Sequence, residues 1–230
     1  MKLLVVGSGG REHAVIRKLK ENKEIEKIYC APGNGGISAD AECVDIKATD
    51  KENMVKFAKE NAIDFCVVTP DDPLALGMVD EMEEAGIPCF GPKANAAIIE
   101  ASKAFSKDLM KKYGIPTADY ETFDNEKDAL HYIEEKNTFP IVIKADGLAL
   151  GKGVLICETL DDAKTALREM MVEHVFGLSG NKVVVEEFMT GKEVSVLAFT
   201  DGNVVKPMIS SMDHKLSLIH ISEPTRQAEI

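Results

Sequence analysis

The chain has 230 residues, enough for one large or two ordinary domains with a substantial core. Its 45% hydrophobic and 29% charged content describes a soluble globular protein. Lys plus Arg total 27 against 39 Asp plus Glu, and the formal net charge of −12 argues against bulk electrostatic binding to nucleic acid or an anionic membrane, while leaving room for a local cationic pocket.

The N-terminal third alternates strand and helix patterns. Residues 2–6 read as a strand, 11–20 as a helix, 25–30 as a strand, 51–61 as a helix, 65–68 as a short buried strand, 74–85 as a helix and 87–90 as extended chain. Strands separated by helices imply right-handed crossovers and a parallel sheet covered on both faces, with ligands expected at the carboxyl ends of the strands. Gly91-Pro92 marks a boundary, and a helix is predicted over 94–112 until Gly114-Ile-Pro116 stops it. From Thr117 onward the pattern is α+β, with helices over 126–135 and 160–173, strands over 183–188 and 193–199, and a hairpin signal at Asp201-Gly202-Asn203 before 204–209. No internal repeat, long uncharged apolar run or signal-peptide pattern occurs, so the cytoplasm is the expected location. The five cysteines, Cys30, Cys43, Cys66, Cys89 and Cys157, form no CxxC pair and are expected to be reduced and mostly buried.

The stretch from Pro140 to Ile156 carries the most chemistry: strand, glycine-bearing loop, strand. Ile141 and Ile143 alternate with Val142 and Lys144, as in a half-buried strand. Gly147, Gly151 and Gly153 let backbone N–H groups approach an anion, and Lys144 and Lys152 bracket the loop with positive charge. That is a phosphate-holding arrangement built on a hairpin; the alternative is a glycine-rich surface hairpin with two solvated lysines.

A second glycine loop, Gly7-Ser-Gly-Gly-Arg-Glu-His13, follows the first strand and opens a helix, whose N-terminus favours a phosphate that Arg11 could clamp. A dinucleotide fingerprint would have glycine where Glu12 stands and an acidic residue ending the second strand, where Tyr29-Cys-Ala-Pro-Gly-Asn-Gly-Gly36 has none. A phosphate-bearing ligand smaller than a dinucleotide therefore fits better than nicotinamide, and a tight turn without a ligand is the alternative. His13 is expected to be a hydrogen bonder near the helix start. Asp71 and Asp72, between prolines at a strand end, could bind an amine or hydroxyls or could simply cap the next helix. Glu186 and Glu187 end an apolar strand, and Glu193 follows Gly191-Lys192. A strand end of this kind offers backbone groups to an adenine edge and a carboxylate to ribose hydroxyls.

Several stretches together resemble the phosphoribosylamine–glycine ligase (glycinamide ribonucleotide synthetase) family of the ATP-grasp superfamily. They are GSGGREH from Gly7, APGNGG from Ala31, PDDPL from Pro70, FGPKANAAIIEASKAFSKDLM from Phe90, IVIKADGLALGKGV from Ile141, VVVEEFMTGKEVS from Val183 and SSMDHK ending at Lys215, all in the family's order. The resemblance implies an α/β fold: an N-terminal parallel-sheet, Rossmann-like pre-ATP-grasp domain over 1–101, then a partial α+β ATP-grasp domain over 102–215. It implies ATP-dependent ligation of glycine to 5-phosphoribosylamine through a glycyl phosphate, giving glycinamide ribonucleotide, ADP and phosphate, in purine biosynthesis. The implied partners are those two substrates, with no nucleic acid and no membrane.

By motif, the ATP site falls on Lys103, Lys144, Gly147, Gly151, Lys152, Gly153, Glu186, Glu187, Phe188 and Glu193. Gly9, Gly10 and Arg11 are expected at the sugar phosphate, with Asn34 and Asp71 on the substrate side, and Asp213, His214 and Lys215 near glycine and the reacting phosphate. The cofactor metal, Mg2+ or Mn2+, is expected on residues downstream, with no metal ligand in this chain. After Lys215 the resemblance stops, and residues 216–230 resemble a translation of adapter DNA joined to a truncated gene. On that view the fragment is inactive. The competing functions are a non-catalytic ATP-binding fragment and another ATP-grasp carboxylate–amine ligase.

Overall fold

A computed structural model describes residues 1–149 and 152–212. The chain divides into two compact units, Met1–Phe188 and Met189–Ile230. In the first unit, β1 (Lys2–Gly7), α1 (Gly10–Leu19), β2 (Lys27–Pro32), β3 (Glu42–Cys43), α2 (Lys51–Glu60), β4 (Phe65–Val68), α3 (Asp71–Ala75), α4 (Met78–Glu84) and β5 (Cys89–Phe90) come first. They build a parallel sheet of order β3-β2-β1-β4-β5. The centre is β1, whose register runs from Lys2 opposite Lys27 to Gly7 opposite Pro32 on one side. On the other side Leu3 lies opposite Phe65.

Helices cover both faces, which is why these strands are apolar runs. Leu4, Val6, Tyr29, Cys66 and Val68 pack with Met54 and Ala58 of α2 and Met78 and Met82 of α4. Leu3, Val5, Ile28, Cys30 and Val67 pack with Ile16 of α1 on the opposite face. Each of the Val, Leu, Ile and Met side chains among them, fully buried, contributes about 1.5–3 kcal/mol relative to exposure.

The unit continues with α5 (Ala94–Ala101), α6 (Lys103–Tyr113), β6 (Tyr120–Phe123), α7 (Glu126–Lys136), β7 (Ile141–Ala145), β8 (Val154–Cys157), α8 (Leu160–Leu167) and β9 (Val183–Glu187). The second sheet is antiparallel, of order β6-β9-β7-β8. Ile141, Ile143, Ala145, Val183 and Val185 form its core face against Ala129 and Ile133 of α7 and Ala163 and Leu167 of α8. Strand periodicity then sends Val142, Lys144, Val184 and Glu186 to the opposite face. The Met189–Ile230 unit contributes the antiparallel hairpin of β10 (Ala198–Thr200) and β11 (Val205–Pro207). Its turn is the expected one, with Asp201 Oδ1 accepting from the N–H groups of Asn203 and Val204 at 2.9 and 2.8 Å.

The architecture is the expected one, a parallel α/β part followed by an α+β part, whose sheet is antiparallel. Several elements differ in detail. The helix expected over 74–85 is two short ones, separated by Gly77 in the left-handed region at φ 84°. The helix expected over 94–112 breaks at extended Ser102, whose Oγ accepts from Phe105 N–H at 3.1 Å and starts α6 anew. The helix expected over 160–173 becomes π-helical at Arg168–Val172. The strand expected over 193–199 shrinks to β10 plus a bridge between Ser195 and Ser211. Strands β3 and β6 went unforeseen, because edge strands that are exposed or only partly buried carry little apolar pattern. All five thiols are free; Cys30, Cys66 and Cys157 are buried and Cys89 is half-buried, but Cys43 is exposed, on the edge strand β3.

Candidate functional site

The first glycine loop lies at the carboxyl end of β1, and the chain reverses its direction of sheet growth between β1 and β4. Such switch points form ligand crevices. Here the crevice is occupied from within. Glu12 is only 6% exposed. Its Oε2 accepts from Gly9 N–H at 2.7 Å, and its Oε1 accepts from Thr69 Oγ1 at 2.6 Å. The carboxylate thus caps its own helix and ties the loop after β1 to the loop after β4. A Cβ on Gly7, where φ is +134°, would fall 2.6 Å from Glu12 Cγ, so this packing needs glycine.

Asn34 joins the second glycine loop to the first. Its Nδ2 donates to Ser8 O at 2.6 Å, and its Oδ1 accepts from Gly36 and Ile37 N–H at 2.8 and 2.9 Å. Gly33 N–H donates to Gly7 O at 3.0 Å. His13 Nε2 lies 2.8 Å from Asp40 Oδ2, and Lys20 donates to Asp40 Oδ1 at 2.6 Å. Lys20 first and His13 second hold the Asp40 carboxyl well down, to about 2.

The glycine hairpin joins β7 and β8 and is fastened to α6. Asp146, just past β7, accepts from Ala104 N–H at 2.7 Å and from Ser102 Oγ at 3.1 Å. Lys103 at the start of α6 donates to Gly147 O at 3.0 Å. Burial holds Lys103 below the ordinary lysine value, against the opposing pull of Asp146 and Glu100. Gly147 is pressed against the 3-10 turn Gly177–Asn181: a Cβ there would fall 2.5 Å from Ser179 Oγ and 3.1 Å from its Cα. Ser179 Oγ donates to Leu148 O at 2.8 Å. A cavity of about 290 Å³ opens here, lined by Asp146, Gly147, Leu178, Ser179, Asn181 and Lys182. A larger depression, about 610 Å³, is lined by Asp45, Lys47, Asp50 and neighbours on α2 and holds no candidate residue.

On the charged face of the second sheet, Glu186 is 4% exposed between two lysines. Lys144, two residues along the neighbouring strand from Glu186's register partner Val142, forms an ion pair with Oε1. Lys107, on α6, lies 2.5 Å from Oε2 and also donates to Thr117 Oγ1 at 2.8 Å and Ala118 O at 3.3 Å. Lys107 carried no role in the sequence reading, although its spacing of four from Lys103 puts both on one side of a helix. What makes it informative, its burial and its contact with Glu186, is tertiary.

The structure therefore places Lys103, Lys144, Gly147 and Gly153 where the hairpin end of β7 and β8 meets the start of α6, while Glu186, opposite Val142 towards the other end of the strands, reaches Lys144 through its side chain. Lys152 is exposed, with its N–H donating to Ala149 O at 2.9 Å. Glu187 points away from Glu186 along the strand and is exposed, its Oε1 accepting from Asp119 N–H at 3.1 Å; Phe188 is 39% exposed. Glu193 belongs to the second unit and is exposed. Gly9, Gly10, Arg11, Asn34 and Asp71 lie around the loops after β1, β2 and β4. Asp71 and Asp72 sit exposed in the first turn of α3, where Pro70 is the N-cap, so neither caps that helix. Gly151, Asp213, His214 and Lys215 lie outside the described residues, as does the tail over 216–230.

Comparison with known proteins gives these loops a family. The phosphoribosylglycinamide synthetase N domain matches residues 1–100, and the ATP-grasp (A) domain of the same synthetase matches residues 101–219. The chain belongs to the phosphoribosylglycinamide synthetase family. It is 50% identical over 215 residues to phosphoribosylamine–glycine ligase from Clostridium acetobutylicum, covering 94% of this chain and 51% of the relative. The chain thus spans about half the length of the curated relatives it matches. The crystal structure of phosphoribosylamine–glycine ligase from Thermotoga maritima superposes with a TM-score of 0.78 at 29% identity, covering 94% of this chain and 51% of that one. The fold also recurs in the biotin carboxylase domain of 2-oxoglutarate carboxylase from Hydrogenobacter thermophilus, solved with MgADP. There the TM-score is 0.67 at 21% identity, over 82% of this chain and 44% of that one.

Proposed function

We infer that the chain is the substrate-binding and nucleotide-binding half of an ATP-dependent phosphoribosylamine–glycine ligase acting in the cytoplasm. On this reading residues 1–101 bind the sugar phosphate and residues 102–215 bind ATP. The observation that carries it is the fastening of the loop after β7 to the start of α6, with Lys103 donating to Gly147 O, Asp146 accepting from Ala104 N–H, and Lys144 on β7 paired with Glu186. Cationic groups and a close-approach backbone are what a polyphosphate requires.

Lys144 and Lys152 are assigned to the phosphate charge, and the glycines Gly147, Gly151 and Gly153 are assigned by motif to the phosphates. By motif, Glu186, Glu187 and Phe188 are assigned to the adenine, Glu187 through its backbone because its side chain leaves the other face of the strand, and Glu193 is assigned to ribose hydroxyls. Lys103 holds the loop through Gly147 O and stands beside the phosphates. In-line attack of the glycine carboxylate on the γ-phosphate, then of the 5-phosphoribosylamine nitrogen on the glycyl group, needs positioning and charge neutralisation more than a protein nucleophile. Asp213, His214 and Lys215 are assigned to the glycine end. On the sugar-phosphate side, Gly10 and Arg11 offer the donors. The Gly9 N–H is already committed to Glu12, and the Asn34 side chain to Ser8, Gly36 and Ile37, so those two residues shape the loops. Asp71, exposed beside them, is assigned to the amine.

Among the described residues no group of three or more His, Cys, Asp or Glu side chains could hold a metal ion. The described part of the chain does not fit a magnesium or manganese site, and no step is assigned to one. Among the same residues no helix is long and apolar enough to cross a membrane.

The test is calorimetric titration of the chain with ATP, followed by an ADP-release assay with glycine and 5-phosphoribosylamine. ATP should bind, and any ADP release should require both substrates. Failure to bind ATP, or release driven by bicarbonate without glycine, overturns the reading.

A further inference from the structure

We propose that Lys107 is a positioning residue that sets the charge of the nucleotide-phosphate site by neutralising Glu186, so that the charge of Lys144 remains available to a polyphosphate. The proposal rests on the nucleotide reading given above and assigns a residue that never touches the ligand.

The argument is one of charge and access. Glu186 is 4% exposed and lies against both lysines, Lys107 at Oε2 and Lys144 at Oε1. Lys107 is itself only 7% exposed. Its ammonium spends its donors on Glu186 Oε2, Thr117 Oγ1 and Ala118 O, and it lies 5.4 Å from the centroid of the Tyr120 ring. Lys107 therefore has no donor left for a bound anion, and its ammonium lies on the other oxygen of the Glu186 carboxylate from Lys144. Lys144 has its side chain 29% exposed.

One carboxylate and one ammonium alone would cancel, and an anion approaching Lys144 would meet a neutral pair. A second ammonium behind the carboxylate leaves the group of three with one net positive charge, carried by its most exposed member. It also satisfies Glu186 from behind. A buried carboxylate with a single partner is poorly compensated, and removal of one partner of such a group is costly. In a partly desolvated site one unit of charge several ångströms from a polyphosphate changes affinity on the order of tenfold.

The experiment measures binding of inorganic tripolyphosphate, which has no base for Glu186 to contact, and of ATP, by calorimetry at two salt concentrations. The proteins are the unaltered chain, Lys107→Met, Glu186→Gln and the double variant. Counting the three side chains, Glu186→Gln carries two positive charges, the unaltered chain one, the double variant one, and Lys107→Met none. Tripolyphosphate affinity should follow that order, with steps of roughly tenfold that shrink at high salt. The decisive result is recovery: the double variant should bind tripolyphosphate like the unaltered chain, although it lacks two ionic groups. A purely structural role for Lys107 would leave the double variant as weak as Lys107→Met, and that outcome overturns the proposal.

If Lys107→Met does not fold, Glu186→Gln against the double variant reads the same one-charge step, and equal affinities there overturn the proposal. If the unaltered chain binds neither ATP nor tripolyphosphate, the nucleotide reading fails, and this inference with it. If the unaltered chain binds both and all variants match it, only the inference fails.

Discussion

Replacing Glu12 with alanine should be strongly destabilising. The side chain is 6% exposed and accepts two hydrogen bonds, from Gly9 N–H at 2.7 Å and Thr69 Oγ1 at 2.6 Å. Hydrogen bonds to a charged acceptor each contribute about 1.5–3 kcal/mol. Removal of the carboxylate frees two donors, of which the half-exposed Gly9 N–H recovers part of its loss by hydration. A loss of about 2–4 kcal/mol follows, or roughly 5–15 °C in Tm for a chain of this size. Glu12→Gln isolates the charge. Its oxygen can still accept from Gly9, and its NH2 can donate to Thr69 Oγ1, because a hydroxyl both donates and accepts. Glutamine should therefore cost about 1 kcal/mol. Urea unfolding with both variants, checked for equal slopes, measures these differences. An alanine variant within about 0.5 kcal/mol of the unaltered chain would show that solvent serves the two loops as well as Glu12 does, and would refute the reasoning.

Gly147→Ala should cost about 1–3 kcal/mol by overpacking, because its Cβ would sit 2.5 Å from Ser179 Oγ and 3.1 Å from Ser179 Cα. It should also weaken ATP binding; unchanged melting and titration curves would contradict both. Asp40 is held down to about 2 from the ordinary 3.8 by Lys20 and then His13, so its contribution is fully present above pH 3.8 and is lost as pH falls through about 2. Asp40→Asn should accordingly flatten the stability–pH curve across that window, and an unchanged acid slope would count against the contact. Burial pushes the thiols of Cys30 and Cys157 up to about 12 and about 11, whereas Cys43 is exposed. Alkylation followed by peptide mass spectrometry at about pH 8 should label Cys43 first. Equal labelling of Cys157 in the folded chain would contradict the burial.

Most of the elements and the parallel first sheet could be read from the chain because they rest on local periodicity. Strand 65–68 is apolar throughout and lies buried between helices, and the alternation at Ile141 to Lys144 divides a core face from a charged one. Gly147, Gly151 and Gly153, with Lys144 and Lys152, were likewise visible as a hairpin with flanking charge, since the need for close backbone approach is written into residue type. Breaks such as Ser102 were not visible, because apolar residues on both sides continue a helical pattern and only the capping of α6 by Ser102 and Asp146 selects the interruption. The three-charge group of Lys107, Glu186 and Lys144 was beyond the sequence altogether. Its members are separated by dozens of positions, and each taken singly resembles a solvated surface charge. Only the packing of α6 against β9 removes two of them from water, and desolvation is what turns an ordinary lysine and glutamate into groups that must be paired.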